Sequence, residues 1–448
     1  MSKVIDKLES EEKGKKTSIR RVALASWIGT SIEWYDFFLY GTAAALVLGP
    51  LFFSPKFSPL AAQLAAFATF WIGFVARPIG GIVFGHFGDR LGRKTMLVLT
   101  LMIMGVATFL VGCLPTYSVI GLWAPILLVT LRLLQGFAVG GEWGGAVLMA
   151  TEHSPENRRG FYGSWPQMGV PTGLLLSSLL FSLVLLSFSQ QDFLAFAWRI
   201  PFLVSIVLVG VGLFIRLTIT ETPDFERVKA TQSIVRVPLV DVLRTHFKTV
   251  LLAAGANALG PGSFYIFVTF ILTYGKQVLH MPSSVFLNAT LIGAVVMFLT
   301  LPLAGAFSDR LGRLPVFLTG AAFTGVMAFP LFWLIDTKSP FLIALAVSLA
   351  LFSIGLMYGP LAAFFSELFG TNVRYSGASL GYQATAIFVG GPTPLIATWL
   401  LQQFGLVSWP IALYIIVLAM ITLVSTYLAG ETRTVAQRQA LAGGTVGS

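Results

Sequence analysis

Long apolar runs alternate with short stretches that carry charge or Pro/Gly turns. The runs fall at about 22–50, 59–86, 95–114, 119–150, 161–188 and 197–219. A second set falls at about 247–279, 284–307, 314–335, 340–366, 375–404 and 408–429. A helix needs roughly 20 mainly apolar residues to cross about 30 Å of hydrocarbon at about 1.5 Å rise per residue. The pattern therefore predicts twelve membrane-crossing helices. A polar, charged break at 220–246 separates the two sets. It predicts an all-α membrane protein of two six-helix bundles, 22–219 and 247–430, joined by a surface linker. Polar tails at 1–21 and 431–448 flank the bundles. Gly and Pro recur within the runs (Gly140, Gly141, Gly144 and Gly145; Gly390, Gly391, Pro392 and Pro394). In membrane helices they permit close packing and bends.

Composition removes the soluble alternative. Of 448 residues, 56% are hydrophobic and only 11% charged, against about 25% charged in an ordinary soluble domain. The net charge of +10 matters through its placement. Basic residues gather in Lys3 to Arg21, at Arg90, Arg93 and Lys94, at Arg158 and Arg159, at Arg310 and Arg313, and from Arg227 to Lys248. The alternate loops hold only Lys56, Lys276 and Lys338. This asymmetry follows the positive-inside rule and predicts a multi-pass protein with both termini and the central loop in the cytoplasm. The bilayer, rather than nucleic acid, is the expected partner of the basic tail. Cys113 is the single cysteine, so neither an intramolecular disulfide nor a Cys-based metal cluster is possible. The first 21 residues are too charged for a secretory signal, and the first helix is the expected insertion signal.

Three motifs recur in order. Gly85-His86-Phe87-Gly88-Asp89-Arg90-Leu91-Gly92-Arg93 returns as Gly305-Ala306-Phe307-Ser308-Asp309-Arg310-Leu311-Gly312-Arg313. Thr151-Glu152 returns as Ser366-Glu367, with Arg159 and Arg374 following at equal spacing. Glu221-Thr222 returns as Glu431-Thr432. Ordered recurrence half a chain apart indicates duplicated halves.

Four acidic or basic groups fall well inside the first-half helices: Glu33 and Asp36 in the first, Arg77 in the second and Arg132 in the fourth, with Glu142 nearer that helix's end. Charge at mid-bilayer costs roughly 2.5–3.5 kcal/mol and persists where it is paired or faces water. Three acids face two arginines, so one carboxylate lacks a basic partner and is suited to carrying a proton. Glu33 and Asp36 share a helix face, with Tyr40 a further turn along. They are the first candidates for a proton carrier and Glu142 the third. The alternative is static salt bridges that fix helices one, two and four. The second half offers polar groups instead: Asn257, Tyr265, Asn288, Tyr358, Tyr382 and Gln383.

The Gly-x-x-x-Asp-Arg-x-Gly-Arg-Lys loop resembles the hallmark of the major facilitator superfamily. Within it, Ile32-Glu33-Trp34-Tyr35-Asp36-Phe37, Ala76-Arg77-Pro78-Ile79-Gly80-Gly81, Gln135 to Gly145 and Trp198-Arg199-Ile200-Pro201-Phe202 resemble the metabolite:proton symporter family. That family includes carriers of shikimate, 2-oxoglutarate, citrate, proline and betaine, and the first half looks closest to shikimate-type members.

The resemblance implies the major facilitator fold: two pseudo-symmetric six-helix bundles around a cavity lined by helices one, four, seven and ten. It also implies a monomeric proton symporter, without cofactor or metal. The expected cargo is a small organic acid (shikimate-like, keto or dicarboxylic) imported across a bacterial inner membrane by alternating access. Arg132 is the expected carboxylate contact, since guanidinium forms paired hydrogen bonds with carboxylate, with Gln135 one turn on. Arg77 either shares that role or neutralises an acid. Tyr40, Asn257, Tyr265, Tyr358 and Gln383 would complete the pocket.

By the same resemblance, Asp89, Arg93, Glu152, Arg159 and Glu221 form one cytoplasmic ion cluster, with Asp309, Arg313, Glu367, Arg374 and Glu431 its counterpart. Exposed pairs contribute about 0–1 kcal/mol each, enough together to bias two states of a gate. Simple folding anchors are the alternative.

No catalytic Ser/His/Asp constellation, phosphate loop or metal-spaced histidine set occurs in the sequence, so an enzyme is not expected. An osmolyte symporter for proline or betaine is the main rival. The short polar tail ending at Ser448 differs from the charged extension of osmosensing members and favours an acid. A proton antiporter is less favoured, because residues 163–173 do not match the Gly-Pro-rich helix-five signature of drug antiporters.

Overall fold

The computed structural model describes residues 19–91, 93–140, 147, 150–151, 154–218, 244–369 and 374–433; among them every regular element is helical. Among the described residues, nine helical runs are long and apolar enough to cross a membrane, and three shorter apolar helices (Val98–Cys113, Trp123–Val139, Ala197–Leu213) fill the remaining places of a twelve-helix bundle.

Helix one runs Ile19–Ala43 and continues through a π-helical turn, Ala44–Leu48, into Gly49–Phe52. Helix two comprises Pro59–Val75 and Arg77–Leu91; Ser58 caps it by accepting the Ala61 amide at 3.2 Å, and Pro59 occupies its first turn. Pro78 has no N–H for the Phe74 carbonyl, and the helix breaks at Ala76. Helices three and four are Arg93–Cys113 and Trp123–Val139. Helix four starts four residues later than the apolar run, because Gly121 at φ +56° ends a separate turn, Tyr117–Ile120. Helix five is Arg159–Gln167 with Gly169–Ser187, and helix six is Ile200–Thr218.

The second set repeats the pattern. Helix seven runs Phe247–Ala256 and Leu259–Tyr265, then a π-helical turn Ile266–Phe270, then Ile271–Gln277. Helices eight, nine and ten are Ser283–Leu311, Arg313–Asp336 and Pro340–Leu368. Helix eleven holds Arg374–Thr385, a π-helical turn Ala386–Gly390 and Thr393–Gln403; helix twelve is Trp409–Ala429. A single residue, Gly312 at φ +102°, joins helices eight and nine.

Two opposite surfaces explain the composition. Val326 and Tyr427 are 77% and 72% exposed on helices nine and twelve, among many exposed Leu, Val and Phe side chains; an apolar exterior of this extent is a lipid-facing one. Inside, small residues let backbones touch. A methyl group at Gly136 would lie 1.9 Å from the Gly73 carbonyl oxygen, and one at Gly140 would lie 1.8 Å from that of Arg77. Helices two and four therefore pack at backbone contact along the stretch that carries Arg77 and Arg132.

Candidate functional site

Among the described residues the buried charges fall into two groups. Glu33, Asp36, Arg77 and Arg132 are buried in the core of the first half; Asp309, Arg313 and Glu367 are buried at helix ends in the second.

Arg132 is 1% exposed and reaches over the glycine-lined seam with helix two, where a Cβ on Gly73 would stand 2.5 Å from its Nε. Its Nη1 donates to Gln135 Oε1 at 3.2 Å, and Gln135 Nε2 donates to Thr108 Oγ1 at 2.8 Å. Its Nε and Nη2 have no hydrogen-bond partner. Instead its Cζ lies 4.3 Å from the Tyr40 ring centroid, 4.6 Å from Phe37 and 5.2 Å from Phe70. Arg77 is held in the same way, with Cζ 4.5 Å from Phe74 and 4.7 Å from Phe37, and with its Nε unpartnered. Such contacts contribute about 0.5–2 kcal/mol each while leaving the edges of the guanidinium open.

Neither carboxylate oxygen of Asp36 has a hydrogen-bond partner. Thr108 lies beside it, but that hydroxyl donates to the Met104 carbonyl and accepts from Gln135. Asp36, Phe37, Arg77, Met104, Arg132 and Gln135 line one small pocket inside the first half. The arginine–acid salt bridges offered as the static alternative are thus not made by Asp36. Glu33 is not without a partner, and it lies within electrostatic reach of Tyr382 on helix eleven. Tyr40 donates to Thr69 Oγ1 at 2.6 Å, since Thr69 donates onward to the Ala66 carbonyl.

A second, larger space lies between the halves. Of the residues singled out in the sequence, Arg77, Asn257, Tyr265, Tyr358 and Tyr382 line it; Arg132, Gln135, Tyr40, Asn288 and Gln383 do not. Arg77 is therefore common to both spaces, and Arg132 stands behind it. The aromatic walls come from Trp34, Phe74 and Phe264, and Tyr382 meets Tyr358 hydroxyl to hydroxyl at 3.1 Å. Helical periodicity gives no sign that these rings face a cavity rather than a packed core.

Contacts between the halves bracket this space. On one side, Trp71 Nε1 donates to the Ile387 carbonyl at 2.8 Å, and Phe38 lies 5.3 Å from Phe264, centroid to centroid. On the other, Gln383 Nε2 donates to the Gly140 carbonyl at 3.2 Å. Further toward that end, Arg313 binds Asp309 at 2.7 Å and grips Glu367 with two hydrogen bonds of 3.0 and 3.2 Å. Thr432 donates to the same Glu367. Glu431 accepts the amides of Arg313 and Leu314, both at 2.9 Å, and so caps helix nine rather than pairing with the Arg313 side chain.

The cluster differs from expectation in depth. Arg313, Asp309 and Glu367 side chains are 1%, 6% and 4% exposed, so the small contribution of exposed pairs does not apply; removing one partner of a buried pair leaves an uncompensated charge. Arg159 opens helix five, partly buried and engaged. Glu142, Glu152 and Glu221, and the side chains of Asp89, Arg93 and Arg374, lie outside the described residues.

A sequence model of the Major Facilitator Superfamily matches residues 26–393. The chain belongs to this superfamily. It is 42% identical over 417 residues to a shikimate transporter of Escherichia coli, covering 92% of this chain and 95% of that one. It is 34% identical over 426 residues to a glycine betaine/proline/ectoine/pipecolic acid transporter of Dickeya dadantii, covering 92% and 84%. Among solved structures, a D-xylose-proton symporter superposes with a TM-score of 0.72 at 20% identity, covering 93% of this chain and 98% of that one. Major facilitator architecture accounts for the twelve helices and the cavity between halves. The protein is a membrane transporter, not an enzyme.

Proposed function

We propose that the protein is a proton-coupled symporter that carries a small organic acid through the bacterial inner membrane by alternating access. The observation that carries this reading is the pair of adjoining spaces that share Arg77. The outer one is lined by the Arg77 guanidinium, which a carboxylate cargo would meet. The inner one holds Asp36, a buried carboxyl with no partner, beside a second incompletely bonded guanidinium. Arg77 anchors the anion, while Asn257, Tyr265 and the Tyr358–Tyr382 pair contact the remainder. Asp36 takes the proton; Arg132 and Gln135 position its surroundings. Glu33 and Glu142 are the secondary proton candidates.

The six-helix units 22–219 and 247–430 rock about this cavity, with the 220–246 linker and both termini cytoplasmic. The Asp309–Arg313–Glu367 cluster and its first-half counterpart act as the cytoplasmic gate. Identity to a shikimate transporter supports an acid cargo, whereas identity to betaine and proline carriers keeps a zwitterion as the rival.

Reconstituted protein should take up a labelled acid when a pH gradient is imposed. Asp36→Asn should abolish that drive while preserving counterflow. Uptake of betaines but of no acid would overturn the cargo assignment; gradient-driven uptake that survives Asp36→Asn, Glu33→Gln and Glu142→Gln would overturn these proton sites.

A further inference from the structure

Three groups with unsatisfied hydrogen-bonding capacity converge on the inner pocket: both oxygens of Asp36, Nε of Arg77, and Nε and Nη2 of Arg132. In a medium of low dielectric a free carboxylate and free guanidinium edges attract strongly. Left to themselves they would close into an ion pair, and Asp36 would stay a carboxylate. Both guanidiniums lie instead against the ring of Phe37. It neighbours Asp36 in sequence, lines the same pocket, and has Arg77 Cζ at 4.7 Å and Arg132 Cζ at 4.6 Å from its centroid.

We infer that Phe37 is the positioning residue for coupling: its ring holds both arginines by cation–π contact and so keeps Asp36 unpaired and free to exchange a proton. The inference rests on the symport reading and adds a route from helix motion to that proton. Phe37 packs edge-on against Phe74 at 4.9 Å and 84°, and tilted against Phe70 at 5.0 Å. Across the interface it meets Tyr265 of helix seven at 6.2 Å. Tyr265 also lines the central cavity. When the halves part, Tyr265 leaves this stack, the ring gains freedom, and the arginines can turn toward Asp36. Cargo at Arg77 and helix position at Tyr265 thus converge on one phenyl ring.

The charged and titratable groups around Asp36 are Glu33, Tyr35 and Tyr40 on its own helix, Arg77 on helix two and Arg132 on helix four, with Tyr265 of helix seven beyond the ring. Among the described residues lining this pocket, the arginines are the ones with unpartnered donors.

The test replaces Phe37 in the full-length protein with a ring-fluorinated phenylalanine, which keeps the shape but removes the negative face that attracts cations. Phe37→Leu serves as the size-reduced variant and Phe37→Trp as the rescue. Infrared difference spectra in membranes would follow the protonated carboxyl band assigned to Asp36 by its loss in Asp36→Asn. The fluorinated and Leu proteins should lose that band and about tenfold of the pH-gradient stimulation of uptake, the scale of one such contact; Phe37→Trp should restore both. A folded fluorinated protein with the band and the stimulation of wild type would overturn the inference alone. A wild type without gradient-driven uptake would overturn the symport reading and the inference with it.

Discussion

Asp309 accepts the backbone amides of Gly160 and Phe161 at 2.8 and 2.9 Å, so an acid on helix eight caps the first turn of helix five from the opposite half. The contact combines charge-assisted hydrogen bonds with the positive end of a helix. It is also close: a Cβ at Gly160 would stand 2.5 Å from both the Gly305 carbonyl oxygen and Arg313 Nη1.

Asp309→Asn removes the charge and one acceptor from this cap. It should shift the protein toward the state open at that end, read as a several-fold faster reaction of cysteines placed in the central cavity with a reagent applied from the cytoplasm. Gly160→Ala should act in the same direction by steric means. Unchanged labelling in both would leave the contact a folding anchor.

Glu367→Gln leaves Arg313 with Asp309 as its remaining acidic side-chain partner in a buried position. A cost of about 3 kcal/mol is expected from breaking a buried pair, seen as a lower midpoint of thermal unfolding in detergent. Arg310, exposed at the surface, should tolerate Arg310→Gln with less than about 0.5 kcal/mol of change.

The two glycines facing each other across helices two and four separate packing from function. Gly136→Ala drives a methyl into the Gly73 backbone and should abolish folding or expression. Gly73→Ala meets the Arg132 side chain instead, 2.5 Å from Nε and 3.2 Å from Cδ. The protein should fold, with Arg132 displaced and gradient-driven uptake reduced more than cargo affinity.

Arg77→Gln should weaken binding of an acid cargo by about 10- to 100-fold, the scale of a lost charge-assisted contact. Arg77→Lys should recover only part of it, since lysine cannot present two parallel donors. A cargo titration by thermal shift would check both, and equal affinity in all three proteins would remove Arg77 from the binding site.

Whatever depends on periodicity, charge sign and local chemistry was legible along the chain. Runs of apolar residues defined the helices, because a backbone in hydrocarbon must bond within its own segment. The repeated Gly-x-x-x-Asp-Arg pattern marked Asp309 and Arg313 as a pair, which the one-residue turn at Gly312 makes. Buried charge on helices one, two and four was legible as a count of acids and bases.

The tertiary structure decided which of those charges face which space. Arg77 and Arg132 look alike in sequence, yet the break at Ala76 and the glycine seam with helix four put Arg77 on the central cavity and Arg132 behind it. Asp36 stays unpaired although two arginines line the same pocket, a feature of three-dimensional packing that no spacing rule encodes. The Asp309 cap was equally invisible, because its partners are amides that every residue but proline carries.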